Sequence, residues 1–112
     1  MSERMRRVDE AVREVLGDAV QHLKDPRIGF VTVTDVDTSA DLRQARVYVS
    51  LLGGEQERAA SIEGLNSAHG VLQRAVATQL RMKNTPTLTF VEDLTARRAA
   101  RVDEILSRED RG

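Results

Sequence analysis

"NSAHGVLQRA", residues 66–75, lies inside a run that otherwise has the composition of one long helix. Glycine within a helix costs about 1 kcal/mol relative to alanine, and Asn and Ser side chains compete for the backbone's own hydrogen bonds. Asn66, Ser67 and Gly70 together therefore predict a break. If Asn66 or Ser67 ends one helix and caps the next, the second helix begins beside residues 67–70 with free N–H groups, which attract anions such as phosphate. The small residues Ser67, Ala68 and Gly70 fit two readings: they let a foreign backbone come close, or they let two helices pack. On the packing reading, a bulky residue at Gly70 would damage the fold as well as any binding.

Upstream of the break, Ile62 and Leu65 face a core, and Glu55 and Glu57 suit the positive end of a helix that starts after Gly53-Gly54. Downstream, Val71, Leu72, Ala75, Val76 and Leu80 continue an apolar stripe until about Lys83-Asn84. At the start of the chain, Val8, Val12, Val15, Ala19 and Leu23 fall at helical spacing. That helix is about 30 Å long and is ended by Asp25-Pro26, since the residue before proline is pushed out of helical angles.

"RIGFVTVTDV", residues 27–36, is rich in β-branched residues and reads as a strand. Val31 and Val33 mark one face and Phe30 and Val36 the other, so the pattern predicts a central strand with Phe30, like Phe90, in the core. "DTSADL" is a turn by composition. Ala45, Val47, Val49 and Leu51 then alternate with Arg46, Tyr48 and Ser50 as a half-buried strand, antiparallel to the one before. Pro86 opens a third strand carrying Leu88 and Phe90. Ala99, Val102, Ile105 and Leu106 predict a short terminal helix. The order is α-β-β-α-α-β plus a tail, an α+β fold with a three-stranded sheet covered by helices.

The chain has 112 residues, enough for one domain. At 40% apolar and 31% charged residues it is too apolar for wholesale disorder. It lacks cysteine, so disulfide and thiolate chemistry are excluded. With no apolar run of membrane-spanning length and no signal-peptide core, a cytoplasmic, membrane-free protein is expected. The formal charge of −1 argues against bulk electrostatic capture of nucleic acid, but its distribution is uneven. No acid lies between Glu63 and Glu92, a span that holds His69, Arg74, Arg81 and Lys83, and the opening carries Arg4, Arg6 and Arg7. Arg43 and Arg46 read as solvated or paired with Asp41. The two histidines, His22 and His69, have no metal-ligand spacing, and no phosphate loop or nucleophile elbow is present, so neither an enzyme nor a metal or other cofactor is expected.

The element order, with two helices meeting at small residues, resembles the type II KH fold. Its RNA-binding members carry a GxxG loop between those helices. Here Ala68-His69-Gly70, an Ala-x-Gly kink, stands in that place, and such a kink distinguishes the bacterial ribosome-binding factor A family. "DPRIGFVTVTDV" (25–36), "SADLRQARVYVS" (39–50), "LNSAHGVLQ" (65–73) and "TPTLTF" (85–90) are similar to that family in order and spacing.

The resemblance implies a KH-like RNA-binding domain over residues 1–95 and a tail over 96–112. It also implies a monomeric, non-enzymatic factor that binds the small (30S) ribosomal subunit and assists late 16S rRNA maturation, including in the cold. Carried over, the kink falls on Asn66, Ser67, Ala68, His69 and Gly70, and the basic surface on Arg74, Arg81 and Lys83, extended by Arg4, Arg6 and Arg7. With Phe30 and Phe90 assigned to the core, Tyr48 is the aromatic left that could stack, and it reads as an ordinary tyrosine on an exposed sheet face, so stacking on bases is not expected. The competing class is a protein-interaction module of the same fold without RNA contact.

Overall fold

Val12 and Leu16, one turn apart and fully buried, draw helix α1 (Glu3–Ala19) onto the sheet. The helix tightens into a 3-10 turn at Val20–His22, and Leu23 is already extended, so the break precedes Asp25-Pro26. Asp25 organises the following turn: its carboxylate accepts the Arg27 N–H at 2.9 Å and pairs with the Arg27 guanidinium at 2.6 Å. A computed structural model describes residues 3–95, and within them the order is α1, β1 (Val31–Thr38), β2 (Gln44–Leu51), α2 (Glu55–Ser67), α3 (His69–Leu80), β3 (Thr87–Glu92). The expected terminal helix falls outside the described residues. Among those residues no helix is long and apolar enough to cross a membrane.

The sheet order is β1-β2-β3, so β2 is central and β1 is an edge strand, not the central strand its composition suggested. The reason is a bulge. Val33 pairs with Val49 and Asp35 with Tyr48, which leaves Thr34 as an extra residue. The bulge flips the alternation, so Val31, Val33, Val36 and Thr38 are all buried on one face. Two apparent faces are one face read across a change of phase. Phe30, one residue before inward-facing Val31, consequently points outward and is 80% exposed, not in the core as its spacing predicts.

β2 pairs antiparallel with β1 and parallel with β3, and the β2-to-β3 crossover runs through α2 and α3. Helix α1 packs on β1 and α3, while α2 and α3 lie on β3. Leu16, Val47, Val49, Leu65, Leu72, Val76 and Phe90 form the centre of the core. On α3 the inward stripe is narrow. Leu72 and Val76, four residues apart, face the sheet, whereas Val71 is turned roughly 100° away, as 3.6 residues per turn dictate, and is 61% exposed rather than part of the core stripe.

Side chains from the helices occupy backbone groups on both outer strands. On β1, Asp9, itself buried, accepts the Thr38 N–H at 3.0 Å, and Gln21 donates to the Val31 carbonyl at 2.9 Å. On β3, the Asn66 amide accepts the Phe90 N–H at 2.9 Å and donates to the Phe90 carbonyl at 3.3 Å.

Candidate nucleic-acid interface

Helices α2 and α3 meet at a single non-helical residue, Ala68, with φ −88° and ψ 8°. These angles lie in the bridge region next to the helical well, enough to end one helix and start another with the chain still turning. The Ala68 N–H is shared between the Gly64 and Leu65 carbonyls, both at 3.1 Å, and the Ala68 carbonyl accepts the first bond of α3 from Leu72 at 3.1 Å. Ala68 is thus both the end of α2 and the cap position of α3. Neither Asn66 nor Ser67 caps α3, contrary to the sequence expectation, and Ala68 has no side-chain oxygen with which to do so. The first turn of α3 therefore presents N–H groups without a side-chain cap, and no acid lies within it.

The kink residues divide by role. Asn66 has its amide committed to the Phe90 backbone, so it holds the helix pair against β3 and has no free amide to offer a ligand. His69 donates from Nδ1 to the Asn66 carbonyl at 2.7 Å, which ties its ring to the end of α2. Ser67, His69 and Gly70 are exposed, and Ala68 packs partly against the core. A Cβ built on Gly70 would meet nothing within 4 Å, so helix packing does not require a small residue there. Of the two sequence readings, close packing fails at Gly70.

From Gly70 the exposed face of α3 runs through Arg74 to Arg81, at steps of four and seven residues that keep one side of the helix, over roughly 16 Å. Arg81 ends α3 in the left-handed conformation, φ 53°. Lys83 follows in the exposed loop. None of these three cations forms an ion pair with a described residue. Their charge is therefore not neutralised locally.

The three arginines at the start of α1 separate. Arg4 and Arg7 line an apolar groove with Glu3, Val8, Ala11, Leu80 and Met82, which brings them to the end of α3 that carries Arg81 and Lys83, although Arg7 is also paired with Glu3 at 3.5 Å. Arg6 is tied to Glu3 and, at 2.6 Å, to Glu10. Its hydrogen bond to Glu3 raises the guanidinium pKa and lowers that of the carboxylate. Arg6 lines a different, acid-rich cleft with Asp9, Glu10, Asp35, Asp37 and Asp93, so it does not join the basic surface.

Arg43, which the sequence reads as solvated or paired with Asp41, lies beside this surface. Thr87 donates its N–H to the Arg43 carbonyl at 2.8 Å, and this first rung of the parallel β2–β3 ladder places Arg43 in a common cleft with Lys83, Asn84 and Asp41, whose carboxylate accepts the Arg43 N–H at 3.0 Å. Parallel pairing across 40-odd residues leaves no local signal in sequence.

A mixed three-stranded sheet covered on one face by three helices, with the second and third joined at a one-residue kink, defines a type II KH-like α+β domain. Residues 4–106 match the family model described as "Ribosome-binding factor A". A protein of that name from Beutenbergia cavernae is 43% identical over 104 residues, which are 92% of this chain and 65% of that protein; this chain thus spans about two thirds of that relative's length. One from Halothermothrix orenii is 38% identical over 107 residues, 95% of this chain and 88% of the relative. Among solved structures, the solution structure of a Thermotoga maritima protein described as a putative ribosome-binding factor A superposes with a TM-score of 0.75 at 38% identity, covering 83% of this chain and 90% of the other. A Thermus thermophilus ribosome-binding factor A model, fitted into a cryo-electron microscopy map of a 30S complex, gives 0.66 at 29% identity over 76% and 90%. The chain belongs to the ribosome-binding factor A family.

Proposed function

We propose that this chain is a non-enzymatic assembly factor that binds the 30S ribosomal subunit as a cytoplasmic monomer and assists late 16S rRNA maturation, including at low temperature. One observation carries the reading: the start of α3, with no side-chain cap and no acid in its first turn, leads onto an exposed helix face bearing Arg74 and Arg81, with Lys83 just beyond, and none of the three is ion-paired with a described residue. Ribosomal RNA offers such a face a folded surface of phosphates and 2′-hydroxyls, which is read by shape and charge. Arg4 and Arg7 extend the contact from α1, and Arg43 from the neighbouring cleft. The small side chains of Ser67, Ala68 and Gly70 let the RNA backbone approach the kink. The 30S complex of the Thermus relative supports the same partner.

Co-sedimentation with purified small subunits tests the proposal. Replacing Arg74, Arg81 and Lys83 together by Glu leaves the melting temperature nearly unchanged, because all three are exposed. It weakens binding and reduces the salt slope of log K by roughly 2–3, about 0.7–0.9 per lost phosphate contact. Unchanged co-sedimentation and slope refute the assignment of this surface.

A further inference from the structure

Phe30 is 80% exposed and Leu52 is 65% exposed, and the two are neighbours: the Leu52 N–H donates to the Phe30 carbonyl at 3.4 Å, one step beyond the Val31–Leu51 pair that ends the ladder. The mount beneath Phe30 is fixed. Gly29 donates its N–H to the buried Ser61 hydroxyl at 3.1 Å, and that hydroxyl donates to the Arg27 carbonyl at 3.4 Å. Ile28 packs so closely on Gly64 that a Cβ there would lie 2.7 Å from Ile28 Cγ1. These contacts fix the backbone that carries an exposed aromatic side chain, which preorganises the position for a partner.

We propose that Phe30, flanked by Leu52, is a stacking platform for an unpaired base of the RNA engaged by the α2–α3 kink. The inference rests on the RNA-binding reading above and adds a contact at a separate place on the molecule. Two exposed side chains fall far short of the ~800 Å² per partner that a stable protein interface or dimer buries, but they match one planar base. The Phe30 mount is tied to the same helix as the kink: Gly29 bonds Ser61, which lies seven residues, about 10 Å along α2, before Ala68. Exposed Lys24, which forms no ion pair with a described residue, precedes Phe30 on the same loop, where Arg27 is paired with Asp25 and Glu63, whereas Glu55 and Glu57 follow Leu52. The sugar–phosphate strand therefore passes on the Lys24 side.

The chain contains no tryptophan, so Phe30→Trp creates a single fluorescent reporter at the site. With small subunits as the probe, Phe30→Ala and Phe30→Leu weaken binding by about 5- to 150-fold, the range measured for loss of one base stack, while Phe30→Trp stays within about twofold of wild type and its emission is quenched on binding. The melting temperatures of all three variants stay near wild type. Phe30→Leu binding as wild type, or Trp emission that shifts to the blue and brightens, marks an ordinary apolar or protein contact and overturns the proposal. So does unaltered binding of Phe30→Ala. Failure of the wild-type chain to bind small subunits at all refutes the broader reading instead, so the two failures are distinguishable.

Discussion

Gly70→Ala separates binding from folding more cleanly than any other single change at the kink. Gly70 is the second residue of α3, it is exposed, and a Cβ there has nothing within 4 Å. The methyl group therefore meets no protein atom, and replacing a helical glycine reduces the entropy of the unfolded chain. The full interior effect is about 1 kcal/mol, so near a helix end roughly 0.5 kcal/mol is expected, a rise in melting temperature of about 2–4 °C for a domain of this size. Gly17, inside α1, also has open space around its Cβ position and serves as the control: Gly17→Ala gains stability and leaves binding alone. If RNA approaches the kink closely, Gly70→Ala weakens small-subunit binding by about tenfold, or 1.4 kcal/mol, and Gly70→Met by more. Calorimetry and quantitative co-sedimentation on the same samples read the two effects. Binding by Gly70→Met equal to wild type would show that nothing comes within a side chain's length of this face, and a fall in melting temperature for Gly70→Ala would contradict the packing geometry.

Asn66→Ala removes both bonds to the Phe90 backbone and leaves its buried N–H unpaired, so a loss of about 1–3 kcal/mol is expected, with faster amide exchange at Phe90; unaltered exchange there would refute the clamp. Gly64→Ala drives a Cβ to 2.7 Å from Ile28 Cγ1, so about 1–3 kcal/mol of overpacking cost is expected in urea titrations, which a paired Ile28→Ala change, by removing that Cγ1, relieves in part; an unchanged midpoint would mean that the two segments move apart freely. Asp25 is held below the usual carboxylate range by hydrogen bonds from Arg27, and Asp93 by the Thr34 hydroxyl and the Thr95 N–H. As pH falls the unfolded chain takes up these protons first, so the stability they contribute is whole above the ordinary carboxylate pKa near 4 and is lost as pH drops through the lower folded values. Asp25→Asn and Asp93→Asn should each flatten the fall of melting temperature between about pH 4 and 2, and curves parallel to wild type would exclude the linkage.

Where periodicity was clean, sequence sufficed for the fold. The alternation Ala45, Val47, Val49, Leu51 appears intact as β2, and the glycine and amide residues at 66–70 mark a real junction. Where an extra residue intervened, it failed. The bulge at Thr34 re-phases β1, so Val31 and Val36 share a face although five residues apart, and Phe30 was assigned to the interior on a parity that did not hold. The same error concealed the most exposed aromatic side chain of the chain. At the candidate surface, Arg74, Arg81 and Lys83 were legible as an acid-free run, but the diversion of Arg6 depends on the rotamers of Glu3 and Glu10, and the arrival of Arg43 on the pairing of distant strands. Asn66 was legible as a helix breaker but not as a clamp, because its partner lies 24 residues away.

The helix side chains that bond outward to Thr38, Val31 and Phe90 have a consequence for life at high concentration. A strand seeking to extend the sheet needs consecutive unoccupied peptide groups, and on β1 those that remain around Val33 are interrupted by the bulge and flanked by Asp35 and Asp37. On β3 the peptide groups of Phe90 are already taken. Removing Asn66 or Asp9 therefore does more than loosen the fold: it uncovers a seam along which copies of the chain can zip into aggregates.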